Sequence, residues 1–246
     1  MTQKTAVIVG ASSGIGGAAA RRLLQQGWRV FGTYHKDTAS LSELETQYRT
    51  ELFRTYPLDV THEGSVATTL KTIREQCGVV DAIVYLPTAP VKPKPLFHVH
   101  WQDIQQHFDV GVKGLFSLFT VLQDQIEEKK PVRFVVVLTE SCISTPPLAV
   151  TPYVVGKHAL LGLAKSMGRE IARFGSTVNM VSPGMVETDL LGSLPPSFID
   201  DTRKKNPMGR IATPDDVAGV IVFLLSEEAA YLNGAHITVN GGNVML

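Results

Sequence analysis

A tyrosine and a lysine four residues apart are the side chains in this sequence best suited to acid–base chemistry. They lie in Pro152-Tyr153-Val154-Val155-Gly156-Lys157, and a helix here would place both side chains on one face, towards one cleft. The proline favours the first turn of such a helix, because its missing N–H has no partner there in any case. A cation beside the phenol would lower a pKa that is ordinarily about 10. The pair predicts a general acid, although a solvated lysine beside a packed tyrosine has the same spacing.

A glycine-rich turn near the start of the chain predicts a nucleotide site. Thr5 to Val9 is typical of a strand, and a helical pattern opens after Gly16. Backbone N–H groups and a helix N-terminus together bind a pyrophosphate, and glycines let it approach closely. A flexible glycine loop is the alternative, but the flanking strand and helix favour the nucleotide. The predicted phosphate-binding residues are Gly10, Ser12, Ser13, Gly14, Ile15 and Gly16.

The end of the second predicted strand, residues 28–33, bears on which dinucleotide binds. A carboxylate at this point would bind the 2′-hydroxyl of NAD and repel the 2′-phosphate of NADP. The sequence continues Tyr34-His35-Lys36, with no carboxylate before Asp37, and basic side chains favour a phosphate. We therefore expect NADP, with Tyr34, His35 and Lys36 as contacts, and keep NAD as the alternative.

Composition narrows the class of protein. A chain of 246 residues with 44% hydrophobic content is compatible with one domain over residues 1–246. Because 23 basic residues balance 23 acidic ones, no nucleic-acid or membrane-surface partner is expected. Cys77 and Cys142 lack metal-ligand spacing, so no metal is expected and a cytoplasmic location fits. No apolar run approaches the length of a membrane span.

Strand and helix patterns alternate along the chain, which predicts an α/β fold with a Rossmann-type, doubly wound parallel sheet flanked by helices on both faces. The further predicted strands are residues 52–58, 79–86, 134–138, 177–181 and 235–239. Residues 101–125 form one long helix or two, and the Tyr153 helix continues to about Phe174. Residues 187–210 have no sustained period and are interpreted as a mobile lid over the substrate.

The motifs, taken in order, resemble the short-chain dehydrogenase/reductase family over nearly the whole chain. They are the glycine turn, Asp59-Val60, Ser141, Tyr153, Lys157, Ser182-Pro183-Gly184 and Asn240-Gly241-Gly242. Within the family the sequence is most similar to the bacterial 3-oxoacyl-(acyl-carrier-protein) reductases, through residues 178–189 and 239–242. The resemblance implies further cofactor contacts from Asp59, Val60, Pro183, Gly184, Val186 and Thr188, and from Tyr153 and Lys157 themselves.

The resemblance also implies catalytic roles. Tyr153 would protonate the nascent alkoxide in carbonyl reduction, and Lys157 would lower the pKa of the phenol and bind the nicotinamide ribose. Ser141 would hydrogen-bond the substrate oxygen, with Thr139 and Ser144 as competing hydroxyls. Ser141 precedes Tyr153 by 12 residues, where the family more often has 13.

Three positions depart from the family's pattern. Val9-Gly10 replaces Thr-Gly at the glycine turn, and Tyr85-Leu86-Pro87-Thr88 replaces Asn-Asn-Ala-Gly after the fourth strand. Gly111 replaces an asparagine that supports a water relay to the lysine. Glycine supplies no amide side chain, so the departure leaves the route of proton supply open.

The leading hypothesis is an NADPH-dependent reductase of a 3-oxoacyl group on acyl carrier protein, or of a related ketone. Lys129, Lys130, Arg169 and Arg173 are candidate contacts for an acidic carrier, or else solvated basic faces. The second hypothesis is a dehydrogenase or reductase of a free small-molecule alcohol, diol or sugar. A third, of another class, is a catalytically weak nucleotide-binding partner subunit, which the departures at Tyr85 and Gly111 motivate. The resemblance further implies a homotetramer in which the helices before and after Ser141 pack across a two-fold axis.

Overall fold

A computed structural model describes residues 3–36, 41–48, 51–188, 191–192 and 195–245. The strands are β1 (Thr5–Val9), β2 (Arg29–Tyr34), β3 (Phe53–Pro57), β4 (Ala82–Tyr85), β5 (Arg133–Val137), β6 (Thr177–Pro183) and β7 (His236–Val239). The α-helices are α1 (Gly14–Gln25), α2 (Ser42–Gln47), α3 (Glu63–Cys77), α4 (Trp101–Phe108), α5 (Gly114–Glu127), α6 (Thr151–Ile171), α7 (Pro196–Lys205) and α8 (Pro214–Leu225).

All seven strands pair in parallel in one sheet with the order β3-β2-β1-β4-β5-β6-β7. The predicted Rossmann-type sheet is therefore confirmed. The strand order reverses between β1 and β4, and ligands of such sheets bind in the crevice at the carboxyl ends of the strands beside that point. The turns that follow β1, β4 and β5 carry the predicted site residues to this edge.

The core lies on both faces of the sheet, which explains the continuous apolar runs of its strands. Ala6 and Ile8 of β1 belong to a buried cluster with α1 and α8, whereas Val7 and Val9 belong to a second cluster with α3, α5 and α6. Alternate residues of a strand point to opposite faces, so one short strand packs against both helical layers. The glycine turn and the Tyr153 helix are thus mounted on a rigid centre.

Two elements differ from the sequence-based expectation, and a third takes one of the two forms that were expected. β4 is shorter than predicted because the side-chain amide of Gln125 pairs with both the N–H and the carbonyl of Val80, at 3.1 and 2.8 Å. Residues 101–127 are one continuous helical segment with a π-helical turn at Asp109–Lys113. The segment expected to lack a regular element contains α7. Within the described residues, no helix is both long enough and apolar enough to cross a membrane.

Candidate active site

The turn after β1 has the form expected of a phosphate cradle. Gly10 adopts a φ of +88°, a conformation that L side chains rarely adopt. A Cβ on Gly16 would fall against the carbonyl oxygen of Gly10 and 2.9 Å from the Cα of Ala11, so only glycine fits. Ser13 begins α1 as its N-cap, and its Oγ accepts the N–H of Gly16 at 3.0 Å. The turn places backbone N–H groups and the positive end of α1 at the sheet edge.

The segment after β6 closes over this turn. A Cβ built on Gly14 would lie 3.0 Å from the Cγ2 of Thr188, so the predicted contact Thr188 stands directly against the start of α1. Gly184 donates its N–H to the carbonyl of Val239 at 3.0 Å, and Val186 forms a bridge with Ala212. Two cofactor contacts expected from sequence, Gly184 and Thr188, are therefore brought to the same edge as the glycine turn.

The end of β2 lies beside Asp59. His35 places its Nε2 3.6 Å from the Asp59 carboxylate, and His62 places its Nδ1 3.0 Å from the same carboxylate. Hydrogen bonds from Thr61, added to those from His62, hold the pKa of Asp59 at about 2. Lys36 is exposed and has no hydrogen bond or ion pair with any residue that the structure describes. The end of β2 thus presents cationic and neutral donors, with one carboxylate already engaged.

Tyr153 lies in the first turn of α6 and belongs to the candidate catalytic cluster. Pro152 lies in the same turn, as expected, one residue after the helix begins at Thr151. The phenol hydroxyl of Tyr153 is hydrogen-bonded to the side chain of Thr139, which follows β5. Ser141, the hydroxyl favoured from sequence, is buried with its Oγ 3.4 Å from the Oγ1 of Thr139. Ser144 instead turns to the carbonyl of Thr145 at 3.4 Å.

Lys157 lies one turn further along α6 and is buried. Its Nζ donates to the carbonyl of Val137, at the end of β5, at 2.9 Å. Burial lowers the pKa of this ammonium to about 8. The side chain therefore enters the cluster from the sheet side, and it is charged only below slightly alkaline pH.

The expected lowering of the Tyr153 pKa is not what the structure shows. Burial raises the pKa of the phenol to about 12, and the hydrogen bond from Thr139 offsets only part of this. The nearby Cys142 and Glu140 raise it further. Desolvation is the largest cause of the rise, and the Nζ of Lys157 donates its hydrogen bond to Val137.

Tyr85 occupies the place where the sequence departs from its relatives after β4. The phenol is fully buried and donates a hydrogen bond to the carbonyl of Val110, in the π-helical turn. Gly114 leaves room for that hydroxyl and for Val60, since an added Cβ would lie 2.9 Å from the Val60 Cβ. Tyr85 therefore has a structural role, because its hydrogen bond connects the end of β4 to the π-helical turn that contains Gly111.

Comparison with known proteins agrees with this geometry. A family model described as enoyl-(acyl carrier protein) reductase matches residues 10–243. The 3-oxoacyl-(acyl-carrier-protein) reductase FabG of Vibrio harveyi is 34% identical over 99% of this chain and 98% of its own length. The chain belongs to the short-chain dehydrogenase/reductase family. It is accordingly an oxidoreductase of that family, as the sequence predicted.

Other members of the short-chain dehydrogenase/reductase family extend the comparison. The FabG reductase of Vibrio cholerae serotype O1 is 32% identical over 99% of this chain and 98% of its own length. Levodione reductase superposes with a TM-score of 0.90 at 22% identity, covering 98% of both chains. ElxO with NADP bound superposes with a TM-score of 0.88 at 24% identity, again over 98% of both chains. The two solved structures establish the shared fold.

Two residues of this short-chain dehydrogenase/reductase stand nearer to Tyr153 than sequence reasoning placed them. Thr139 was named only as a competing hydroxyl, yet it holds the phenol. His107 was not singled out, although its ring packs edge-on against the Tyr153 ring at 6.1 Å. Its signal was the spacing of His107 and Gly111 at i and i+4, which puts both on one face of a helix.

Proposed function

We propose that this protein is an NADPH-dependent ketoreductase, and that its substrate is a 3-oxoacyl group or a closely related ketone. The observation that carries the proposal is the meeting of Tyr153, Thr139 and Lys157 at the carboxyl edge of the sheet, next to the glycine turn. The FabG relatives are 3-oxoacyl-(acyl-carrier-protein) reductases, which supports the substrate class. The two cysteines, Cys77 and Cys142, are both free, which suits a cytoplasmic enzyme.

The residues present fit an NADP cofactor. The glycine turn is so tight that a Cβ at Gly16 would strike the carbonyl oxygen of Gly10, and a turn of this kind at a helix N-terminus presents backbone N–H groups to a pyrophosphate. The exposed Lys36 and His35 are available to a 2′-phosphate at the end of β2. ElxO, which superposes over nearly the whole chain, was solved with NADP bound. Bound NADPH would supply the hydride, and NADH remains the less favoured donor.

Side chains of this protein would stabilise the negative charge on the substrate oxygen and supply the proton that neutralises it. Hydride addition makes the carbonyl oxygen an alkoxide, and the Tyr153 hydroxyl donates its proton to that oxygen. Thr139, which is hydrogen-bonded to the phenol, holds the oxygen in place, with Ser141 as the second hydroxyl within reach. The ammonium of Lys157 stabilises the phenolate that remains.

The surroundings of the α6 start suit an acyl group. The N–H of Lys94 donates to the carbonyl of Ala149 at 2.7 Å, which joins the loop after β4 to the loop before α6. Phe97 and Leu148, on these two loops, are almost fully exposed. We infer that they flank an apolar chain, and that the described part of residues 187–210, which includes α7, covers it as a lid; residues 189–190 and 193–194 lie outside the described residues.

The candidate carrier contacts lie elsewhere. Lys129 and Lys130 precede β5, and Arg169 and Arg173 lie at and beyond the end of α6, so all four stand at the amino edge of the sheet. Tyr153 lies at the opposite edge. Lys130 is already paired with Glu128, and Arg173 stacks over the Phe174 ring. In a single chain this placement favours a free ketone or thioester over a carrier docked on these four residues.

The test is a panel of ketones with NADPH. A 3-oxoacyl group is offered on acyl carrier protein, the same group as a carrier-free thioester, and simple ketones or sugars separately. Oxidation of NADPH with the thioester supports the proposal, and a further gain with the carrier identifies it as a partner. Tight binding of NADPH without oxidation by any ketone would instead favour the partner-subunit hypothesis. Thr139→Val and Ser141→Ala, measured on the best substrate, determine which hydroxyl holds the oxygen.

A further inference from the structure

His107 lies where a proton would have to enter the catalytic cluster. This inference rests on the proposed function. Each reduction leaves Tyr153 as a phenolate, which must regain one proton before the next turnover. Lys157, its cationic neighbour, is buried and cannot take a proton from bulk water directly. Some group must therefore connect the two to solvent.

His107 lies in the last turn of α4 and is 8% exposed. Its ring centroid is 6.1 Å from that of Tyr153, in an edge-on arrangement with an interplanar angle of 70°. Burial lowers the pKa of the imidazole, and the positive charge of Lys157 lowers it further. The lowered pKa favours the neutral imidazole beside the Tyr153 ring, and a neutral imidazole can accept a proton at one nitrogen and donate from the other.

Gly156 makes this placement possible. A Cβ at this position would lie 2.6 Å from the Cβ of His107, which is closer than real Cβ contacts come. Gly156 belongs to α6, between Tyr153 and Lys157 in sequence. Any side chain there would push α4 away, so the glycine lets the histidine approach the catalytic pair.

A small cavity joins His107 to Lys157. Its lining includes Thr88, His107, Gly111, Gly156 and Lys157. The space open to a water-sized sphere is about 10 Å³, which is roughly what one ordered water requires. Gly111 contributes no side chain to fill it, and it sits in the π-helical turn that widens the helix at this point.

Two residues that line the cavity, His107 and Lys157, have hydrogen-bonding groups that the described part of the protein does not satisfy. Among the described residues, neither ring nitrogen of His107 has a hydrogen-bond partner, and the Nζ of Lys157 has only the carbonyl of Val137. An ammonium has three donors, so two remain. No fully enclosed side-chain nitrogen or oxygen in the described part of the chain lacks a partner, so the unpartnered imidazole nitrogens keep contact with open space. A water in the cavity would satisfy both side chains.

We propose that His107 is the proton-relay residue of this enzyme, passing protons from solvent through one cavity water to Lys157 and Tyr153. In each turnover an N–H bond of the lysine breaks as the O–H bond of the phenol re-forms. The neutral amine takes a proton from the cavity water, the water takes one from the imidazole, and the imidazole takes one from solvent at its other nitrogen. One proton enters for each alkoxide protonated, and no electrons move.

The test compares His107→Ala and His107→Gln with the unmodified enzyme on a ketone that it reduces. We expect kcat to fall about tenfold or more in both variants, with NADPH affinity unchanged, because the relay touches neither cofactor nor substrate. Added imidazole should restore turnover in His107→Ala, where it can enter the vacated space, and leave the unmodified enzyme unaffected. His158→Ala is the matched control, since that exposed histidine lies next to Lys157 on the outer face of α6.

Each outcome decides one question. If the unmodified enzyme reduces a ketone and His107→Ala keeps its kcat and its solvent isotope effect, the relay is overturned while the proposed function stands. A loss of kcat that imidazole does not restore, together with a lower Tm in both variants, assigns His107 a packing role and also overturns the relay. If no ketone is reduced by the unmodified enzyme, the proposed function and the relay fall together.

Discussion

At the scale of single residues, burial sets the acid–base properties of the site. Desolvation raises the pKa of Tyr153 to about 12 and lowers that of Lys157 to about 8, because burial disfavours the charged form of each group. Since neutral pH lies below both values, the phenol keeps its proton and the lysine is still charged there. This is the combination that carbonyl reduction requires, because the acid must be protonated before the alkoxide forms.

The first prediction is a loss of reductase activity at alkaline pH. We expect kcat to fall as pH rises through about 8, because Lys157 loses its charge while Tyr153, with a pKa of about 12, remains protonated. The measurement is kcat at saturating NADPH and ketone between pH 6 and about 10. A rate that stays level across this range would contradict the assigned role of the ammonium.

Unfolding should not explain that loss. The pKa of Lys157 is lower in the folded chain than its ordinary value of 10.5. Between about pH 8 and pH 10.5 the unfolded chain therefore binds more protons than the folded chain. The contribution of this group to stability therefore increases as pH rises through that window. Circular dichroism at each pH provides the control.

The second prediction concerns the nucleotide. Lys36→Glu should narrow or reverse a preference for NADPH over NADH, since a carboxylate at the end of β2 repels a 2′-phosphate and can bind a 2′-hydroxyl. Dissociation constants for both nucleotides, measured by fluorescence, provide the readout. Lys71→Glu, an exposed position on α3, makes the same charge change as a control. Equal affinity of the unmodified protein for the two nucleotides would contradict the assignment.

At the scale of elements, the turn between β1 and α1 determines whether a dinucleotide can bind. Its backbone passes so close to Gly16 that an added methyl group would meet the carbonyl oxygen of Gly10. One residue later, a Cβ on Gly17 would meet its nearest atom, the carbonyl oxygen of Ala11, at an ordinary 3.6 Å. The backbone therefore has no room for a side chain at Gly16 but has room for one at Gly17.

The third prediction uses that difference. Gly16→Ala should lower NADPH affinity at least tenfold and lower the free energy of unfolding by about 1–3 kcal/mol, since the methyl group forces the turn to move. Gly17→Ala should leave both nearly unchanged or raise stability slightly, because alanine is the better helix former. Calorimetry of nucleotide binding and urea denaturation measure the two effects. Equal behaviour of the two variants would show that the turn does not form the phosphate cradle.

How much of the structure could be predicted also varies from element to element. The buried strands of a parallel sheet are visible in the sequence as apolar runs, and all seven strands were therefore predicted. The start of β4 was predicted too early because the side chain of Gln125, 45 residues away, takes the hydrogen bonds of Val80, and no local sequence pattern indicates such a partner. α7 did carry a signal, with Pro196 at its start and Arg203, Lys204 and Lys205 in its last turn, which fits proline preferences and the helix dipole.

The members of the candidate site could be proposed from the sequence, whereas its geometry could not. Tyr153, Lys157 and the glycine turn were singled out because their spacing follows local helix and turn rules. Which hydroxyl meets the phenol depends on how β5 ends, and the structure brings Thr139 there. The rise in the Tyr153 pKa depends on desolvation by residues distant in sequence, which spacing alone does not reveal.

At the scale of the whole molecule, exposed aromatic residues stand on the outer helices. Phe116, on α5, is 53% exposed and its ring lies 6.1 Å from that of Phe119. Val155, on α6, is also exposed. These are the two helices that the family resemblance places across a two-fold axis. Covering a phenylalanine there would stabilise an assembly by up to about 1.5–3 kcal/mol for each side chain.

The fourth prediction is a homotetramer. Light scattering at micromolar concentration should give about four times the chain mass of 26.7 kDa. Phe116→Arg should shift the protein to smaller species, because a charge would then be buried in the interface. Ala67→Arg, at an exposed position on α3, is the control and should leave the mass unchanged. A monomeric mass for the unmodified protein would contradict the prediction.

The most direct test of the proposed chemistry is single-turnover reduction of a ketone by Tyr153→Phe. The change removes only the hydroxyl that is hydrogen-bonded to Thr139 and keeps the ring that packs against His107. We expect the folded structure and NADPH affinity to persist while the rate of hydride transfer falls by ~10²–10⁴-fold, the usual contribution of a positioned general acid. A variant that kept most of the unmodified rate, with hydride transfer shown to limit turnover, would mean that Tyr153 is not the proton donor.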